Sequence, residues 1–226
     1  MIITEFDVAI CDSDTHISRW VLENRSLRIA TWLCSFAKPF LRTGSVVVDA
    51  GANIGDHTVE YAMMVGESGT VVAFEPNSEP ADCLAYNTKS FPQVQIFRNG
   101  LSDVPRTAKM FAENNVGASY VSDSGSVPIE LVRLDDVWNF DRLDFIKMDI
   151  EGYETKAITG GIETIRLFRP VMLLEVNVGA LQRAGSSEGE LLSLLRSLNY
   201  RVEVIGRKGI QYDILCVSGD GHVCAR

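Results

Sequence analysis

The sequence predicts an α/β protein with a mostly parallel sheet, helices on both faces and an antiparallel closing hairpin. Three observations carry this. From residue 45 onward, short apolar runs alternate with amphipathic stretches, the pattern of strand–helix–strand units. The run Val46-Val47-Val48 is β-branched throughout, as suits a strand buried on both faces. The last two apolar runs, about 200–206 and 210–217, are joined only by Arg207-Lys208-Gly209, too short for a crossover and right for a hairpin.

The elements follow in order. Residues 2–10 read as a strand. Residues 17–40 read as one helix, with Trp20, Ile29, Trp32, Leu33 and Phe36 at helical spacing, broken at Thr43-Gly44. After the strand at 46–48 and a glycine turn, a helix runs from about 57 to 65 and stops near Gly66. TVVAFE (70–75) is the next strand. Residues 79–90 place Ala81, Leu84, Ala85 and Thr88 on one helical face. Residues 94–98 form a third strand. The stretch 112–128, rich in Asn, Gly and Ser, reads as loop. Residues 143–149 and 171–176 are two more strands, with helical pieces between them interrupted at Gly160-Gly161. Residues 187–198 carry Leu191, Leu194, Leu195 and Leu198 on one stripe. The tail 219–226 reads as frayed.

Composition narrows the function. Of 226 residues, 46% are hydrophobic and 23% charged, so the chain can fold on a core and is not a disordered one. No apolar run reaches the ~20 residues needed to span a bilayer. A net charge of −9 speaks against wrapping nucleic acid, which needs clustered Lys and Arg. Glu5 and Asp7 stand where a signal peptide would carry basic residues, and five scattered cysteines form no C-x-x-C. The expectation is a cytoplasmic protein with reduced thiols.

In open α/β sheets ligands bind beyond the C-terminal strand ends, so those residues come first. Strand one ends in Asp49-Ala50-Gly51-Ala52-Asn53-Ile54-Gly55-Asp56-His57-Thr58. Gly51 and Gly55 permit a tight turn, and the following helix start offers free N–H groups. The dinucleotide fingerprint G-x-G-x-x-G is absent, because Asn53 stands at its second glycine and would crowd a diphosphate. Strand two ends in Phe74-Glu75-Pro76-Asn77, where a carboxylate can accept hydrogen bonds from two ribose hydroxyls. Strand three leads to Ser102-Asp103, within reach of an adenine edge or simply shaping a turn. Strand four ends in Lys147-Met148-Asp149-Ile150-Glu151-Gly152-Tyr153-Glu154. Three carboxylates this close must face water, a cation or a reacting group; Glu154 alternatively complements a helix start. Strand five ends in Glu175-Val176-Asn177, whose two polar side chains share one face.

Together these segments resemble the FkbM family of S-adenosylmethionine-dependent methyltransferases. The resemblance rests on VVDAGANIGDHT (47–58), VVAFEPN (71–77), LSD (101–103), LDFIKMDIEGYE (143–154) and RPVMLLEVN (169–177), in that order. It implies the class I methyltransferase fold, a Rossmann-like seven-stranded sheet with a reversed final hairpin. It also implies methyl transfer to oxygen on a small-molecule or glycan acceptor. Residues 45–226 would form the methyltransferase domain, with 1–44 an N-terminal strand and helix extension packed on it. The implied cofactor site comprises Asp49, Gly51, Ala52, Asn53, Gly55, Thr58, Glu75, Pro76, Ser102, Asp103 and Asp149. Asp149, Glu151 and Glu175 are the candidate bases, ahead of His57. No metal is expected; a Mg²⁺-assisted version would use Asp149, Glu175 and Asn177.

Three rivals are weaker. A nucleic-acid or protein methyltransferase lacks support, since Asp149-Ile150-Glu151-Gly152 replaces the [DN]-P-P-[YF] of amino-group methylation. Asn53 argues against a nucleotide-dependent oxidoreductase. A non-catalytic binding module would need a lost acceptor pocket. Residues 1–43, with Trp20 and Trp32, would suit a cofactor cover, a substrate wall or a homodimer contact. The stretch 112–128 would suit a lid.

Overall fold

The computed structural model describes residues 1–12, 14–28 and 31–219. Ile29, Cys224 and the tail beyond Gly219 lie outside the described residues.

The N-terminal part holds two short paired strands, β1 (Ile2–Ile3) and β2 (Ala9–Ile10), where the sequence predicts one strand. Asp7, at φ 62°, turns the chain between them. The predicted helix 17–40 divides into α1 (Ile17–Asn24), α2 (Thr31–Cys34) and a 3₁₀ turn at Lys38–Phe40. Arg25 closes α1 in the left-handed region at φ 51°, and its guanidinium lies over the Phe6 ring. Helical spacing alone does not register such a stop.

The chain then alternates: β3 (Val46–Ala50), α3 (Asp56–Val65), β4 (Thr70–Phe74), α4 (Ser78–Asn87) and β5 (Val94–Phe97). There follow β6 (Asn99–Leu101), β7 (Arg106–Phe111), β8 (Tyr120–Val121), β9 (Val127–Val132), α5 (Leu134–Val137) and β10 (Phe145–Met148). Last come α6 (Glu154–Gly160), α7 (Ile162–Phe168), β11 (Val171–Asn177), α8 (Val178–Arg183), α9 (Glu188–Ser197), β12 (Tyr200–Lys208) and β13 (Gln211–Ser218).

Seven strands form the main sheet in the order β12-β13-β11-β10-β3-β4-β5. All pairs are parallel except those of β13, which runs antiparallel to both neighbours. This is the predicted reversed hairpin, with a tighter turn: Lys208 still pairs with Gln211. All five residues of β3 are buried, because apolar clusters cover both sheet faces. The strand order reverses between β3 and β10, which opens a crevice at their C-terminal ends.

A second, four-stranded sheet, β6-β9-β7-β8, was not foreseen and flanks the predicted loop. Most of 112–128 is the connection between β7 and β9, containing a 3₁₀ turn at Val116–Ala118 and the short β8. Along β7, Ala108 and Met110 are buried while Arg106, Thr107 and Lys109 are exposed. That alternation marks a half-covered strand. The covered face packs with Ile129, Leu131, Ile150 and Tyr153, beside the crevice.

Candidate active site

At the end of β3 the chain reverses at Gly51, φ 78°, whose N–H donates 3.0 Å to the Phe74 carbonyl. A Cβ on Gly51 would lie 1.9 Å from the Asp149 carbonyl oxygen, so only glycine lets the β3 and β10 ends meet. Beyond β10 the chain turns again through Glu151 (φ 52°) and Gly152 (φ 100°). A Cβ on Gly152 would sit 2.2 Å from the Ala180 carbonyl. These two turns aim Asp149 and Glu151 into one cavity of about 360 Å³.

The cavity wall holds Gly51, Asn53, Glu75, Pro76, Asp149, Glu151 and Glu175, all named by the sequence. Glu75, at the end of β4, accepts 2.9 Å bonds from the Asn53 and Asn77 backbone N–H groups, one on each oxygen. Burial pushes its carboxyl up to about 7, with these donors working the other way. One lone pair on each oxygen stays available toward the cavity.

Other named residues stand behind the wall. Asp49 is fully buried, and Thr58 donates to its Oδ2 at 2.6 Å. Its Oδ1 makes no hydrogen bond among the described residues. Ala52 packs with Ala73 and Leu84, and Gly55 caps α3. Ser102 is buried, donates to Asp103 at 3.0 Å, and presents its carbonyl to Gly160. Neither Ser102 nor Asp103 is part of the cavity wall.

Asp149, Glu151 and Glu175 offer carboxylate oxygens that all lie within 4.8 Å of one another. Their mutual repulsion adds to burial. Glu151 is pushed up to about 7 by burial, then by Asp149 and Glu154. Glu175 is pushed up to about 9 by burial and Asp149, although Gln211 donates to it at 2.5 Å. Asn177 does not join them: its Oδ1 accepts 3.1 Å from the Ala180 N–H and caps α8. Glu154 is buried at the start of α6, and its Oε1 accepts from Ile150 and Gly152 N–H. His57 is held neutral by burial and by Lys147, its Nδ1 3.4 Å from Asp56.

The residue the sequence left without a role is Lys147. It is 3% exposed, its ammonium donates 3.0 Å to the Gly51 carbonyl, and it lies 3.7 Å from Asp49 and 3.8 Å from Asp149. Burial opposes its charge, but Asp149, Asp49 and Asp56 outweigh that and hold it protonated. A lone cation inside the apolar run of β10 was the available signal. His16, Ile17, Tyr120, Tyr153 and Gln211 also line the wall and were not foreseen.

This donor set fits S-adenosylmethionine. An acid-lined cavity suits a fixed sulfonium, and Glu75 suits ribose hydroxyls. Asn53 Oδ1 is buried without a hydrogen-bond partner among the described residues, an acceptor beside the turn.

Comparison with known proteins agrees. The model of the methyltransferase FkbM domain matches residues 49–202. Hexuronic acid methyltransferase AglP of Haloferax volcanii is 29% identical over 175 residues, covering 72% of this chain and 70% of that protein. The crystal structure of methyltransferase FkbM from Methylobacillus flagellatus superposes with a TM-score of 0.54 at 18% identity. It covers 76% of this chain, which spans only 43% of that one. A S-adenosylmethionine-dependent O-methyltransferase from Thermotoga maritima shares the fold at a TM-score of 0.52 and 16% identity, covering 93% of this chain and 72% of its own. With the switch-point cavity, the carboxylates at its strand ends and a family match spanning most of the chain, the protein belongs to the FkbM family of S-adenosylmethionine-dependent methyltransferases.

Proposed function

We propose that this enzyme methylates a hydroxyl oxygen of a small-molecule or glycan acceptor. The observation that carries the reading is the meeting of Asp149, Glu151 and Glu175 on the cavity wall. A carboxylate as the reacting group needs no base, and an amine would be held protonated by this cluster, its lone pair blocked. A hydroxyl needs a base, and the cluster provides one.

When bound, S-adenosylmethionine supplies an electrophilic methyl carbon. Glu75 would hold the ribose, and the Gly51–Gly55 turn with Asn53 would cradle the methionyl part. Asp49 and Thr58 brace that turn from behind, and Pro76 lines the cavity beside Glu75. Lys147 anchors Asp149 and the Gly51 carbonyl. Glu151, pushed up to about 7, takes the hydroxyl proton near neutral pH. Aligning the hydroxyl with the methyl carbon supplies much of the remaining acceleration.

The relative AglP acts on a hexuronic acid by its name, so a uronic-acid sugar is the first acceptor to try. The test incubates the protein and S-adenosylmethionine with methyl glucuronide, methyl glucoside and methyl glucosaminide, with mass detection of methylated product. Product from a hydroxyl, lost in Asp149→Asn while S-adenosylhomocysteine still binds, supports the reading. Product only on the amine of the glucosaminide defeats it.

A further inference from the structure

Two segments about a hundred residues apart meet at the cavity wall beside the Gly51–Gly55 turn: His16 and Ile17 at the start of α1, and the stretch from Asn115 to Val121. One buried carboxylate joins them. Asp14 is 8% exposed. Its Oδ2 accepts from the Ser18 N–H at 2.5 Å, and its Oδ1 from the His16 N–H at 3.2 Å, so it serves two donors at the start of α1. The same Oδ1 also accepts 3.1 Å from the N–H of Val116, which the start of α1 does not need. Thr15 adds two bonds, its N–H (2.8 Å) and hydroxyl (3.1 Å) both donating to the Asn114 carbonyl.

What this fastening holds is part of the cofactor cavity. Val116 is buried in the apolar cluster that includes Ile10, Val21 and Ile54, the last within the glycine turn. A Cβ on Gly117 would lie 3.3 Å from both the Asn53 amide and Ile17, so the strap rests directly on the turn. Among the described residues, 115–119 pair with no strand, since β8 engages β7 through Tyr120 and Val121. Their placement therefore depends on Asp14, Thr15 and the packing of Val116.

We infer that Asp14 is the positioning residue of a strap over the cofactor: it fastens the 114–119 segment to the start of α1, and the opening of that fastening sets how fast the cofactor leaves. The inference rests on the methyltransferase reading of the cavity. A charge-assisted bond from a backbone N–H to a buried carboxylate is strong enough to change the closed population roughly tenfold.

The deciding variant is Val116→Pro. It removes the N–H that crosses to Asp14 and leaves the His16 and Ser18 bonds to Asp14 intact. Val116 opens a 3₁₀ turn after an extended Asn115 (ψ 95°), a position where proline is tolerated. Stopped-flow displacement measures S-adenosylhomocysteine release from wild type, Val116→Pro and Asp14→Ala, with melting temperatures measured without ligand. The strap predicts release about tenfold faster in both variants. It also predicts that ligand slows hydrogen exchange at the backbone of 14–18 and 114–119 in the wild type. A folded Val116→Pro that releases ligand at the wild-type rate overturns the strap. Should that variant not fold, Asp14→Ala releasing at the wild-type rate does the same. A wild-type chain that binds no S-adenosylhomocysteine overturns the cofactor reading and the strap with it.

Discussion

The Lys147 ammonium lies 3.8 Å from the Asp149 carboxylate and donates to the Gly51 carbonyl on the adjoining strand end. One buried cation thus ties together the two turns that form the cavity, while Asp49 balances it from beneath at 3.7 Å. The acidic strand ends of β3 and β10 can approach because Lys147 lies between them.

Removing that cation should be costly. Lys147→Met leaves Asp49 buried without a counter-charge, and breaking such a pair costs about 3–5 kcal/mol. Denaturant unfolding should therefore show a large loss of stability in the single variant. The double variant Lys147→Met/Asp49→Asn should recover part of it, because the two sites are coupled. Equal loss in single and double variants would contradict the pairing.

Glu75→Ala should weaken S-adenosylhomocysteine binding by roughly tenfold to a hundredfold, since the ribose hydroxyls lose a charged acceptor. Calorimetric titration measures this directly. Some of the loss will come through the Asn53 and Asn77 N–H groups that Glu75 also holds. Glu75→Gln, which keeps one acceptor oxygen, should lie between the two.

Glu175 makes stability depend on pH. Its carboxyl titrates near 4.5 when unfolded and is pushed up to about 9 in the folded chain by burial and Asp149. Between these values the folded state keeps a proton that the unfolded state has released, so stability falls as pH rises. Glu175→Gln removes this slope. It should raise the melting temperature at about pH 8 and lose the advantage near pH 4.

The proposed base gives a rate signature. Glu151, pushed up to about 7, must be ionised to accept the hydroxyl proton. Turnover at saturating substrate should rise with pH through that region and level off above it. Glu151→Gln should lower kcat by roughly a hundredfold or more and abolish the rising limb, with cofactor affinity little changed.

Much of this was legible in the sequence, for identifiable reasons. Strands buried on both faces announce themselves, as Val46-Val47-Val48 does, and the carboxylates ending them are fixed by strand geometry. Gly51, Asn53, Glu75, Asp149, Glu151 and Glu175 came out together on that logic. The second sheet stayed hidden because β7 and β9 are half exposed and Pro128 looks like a turn, although it pairs opposite Lys109. Asn177 looked free until its oxygen was committed to capping α8. The role of Asp14 was out of reach, because its partner Val116 lies 102 residues away and donates through its backbone. No side-chain pattern encodes that contact.

The most direct test of the central claim is the chemical fate of the transferred methyl group. S-adenosylmethionine with a labelled methyl is incubated with the protein and methyl glucuronide, and the product is treated with mild alkali. The account predicts a gain of one methyl that survives alkali, as an ether formed at a hydroxyl does. Label released as methanol would mean an ester formed at the carboxylate, and would contradict the hydroxyl reading of the Asp149–Glu151–Glu175 cluster.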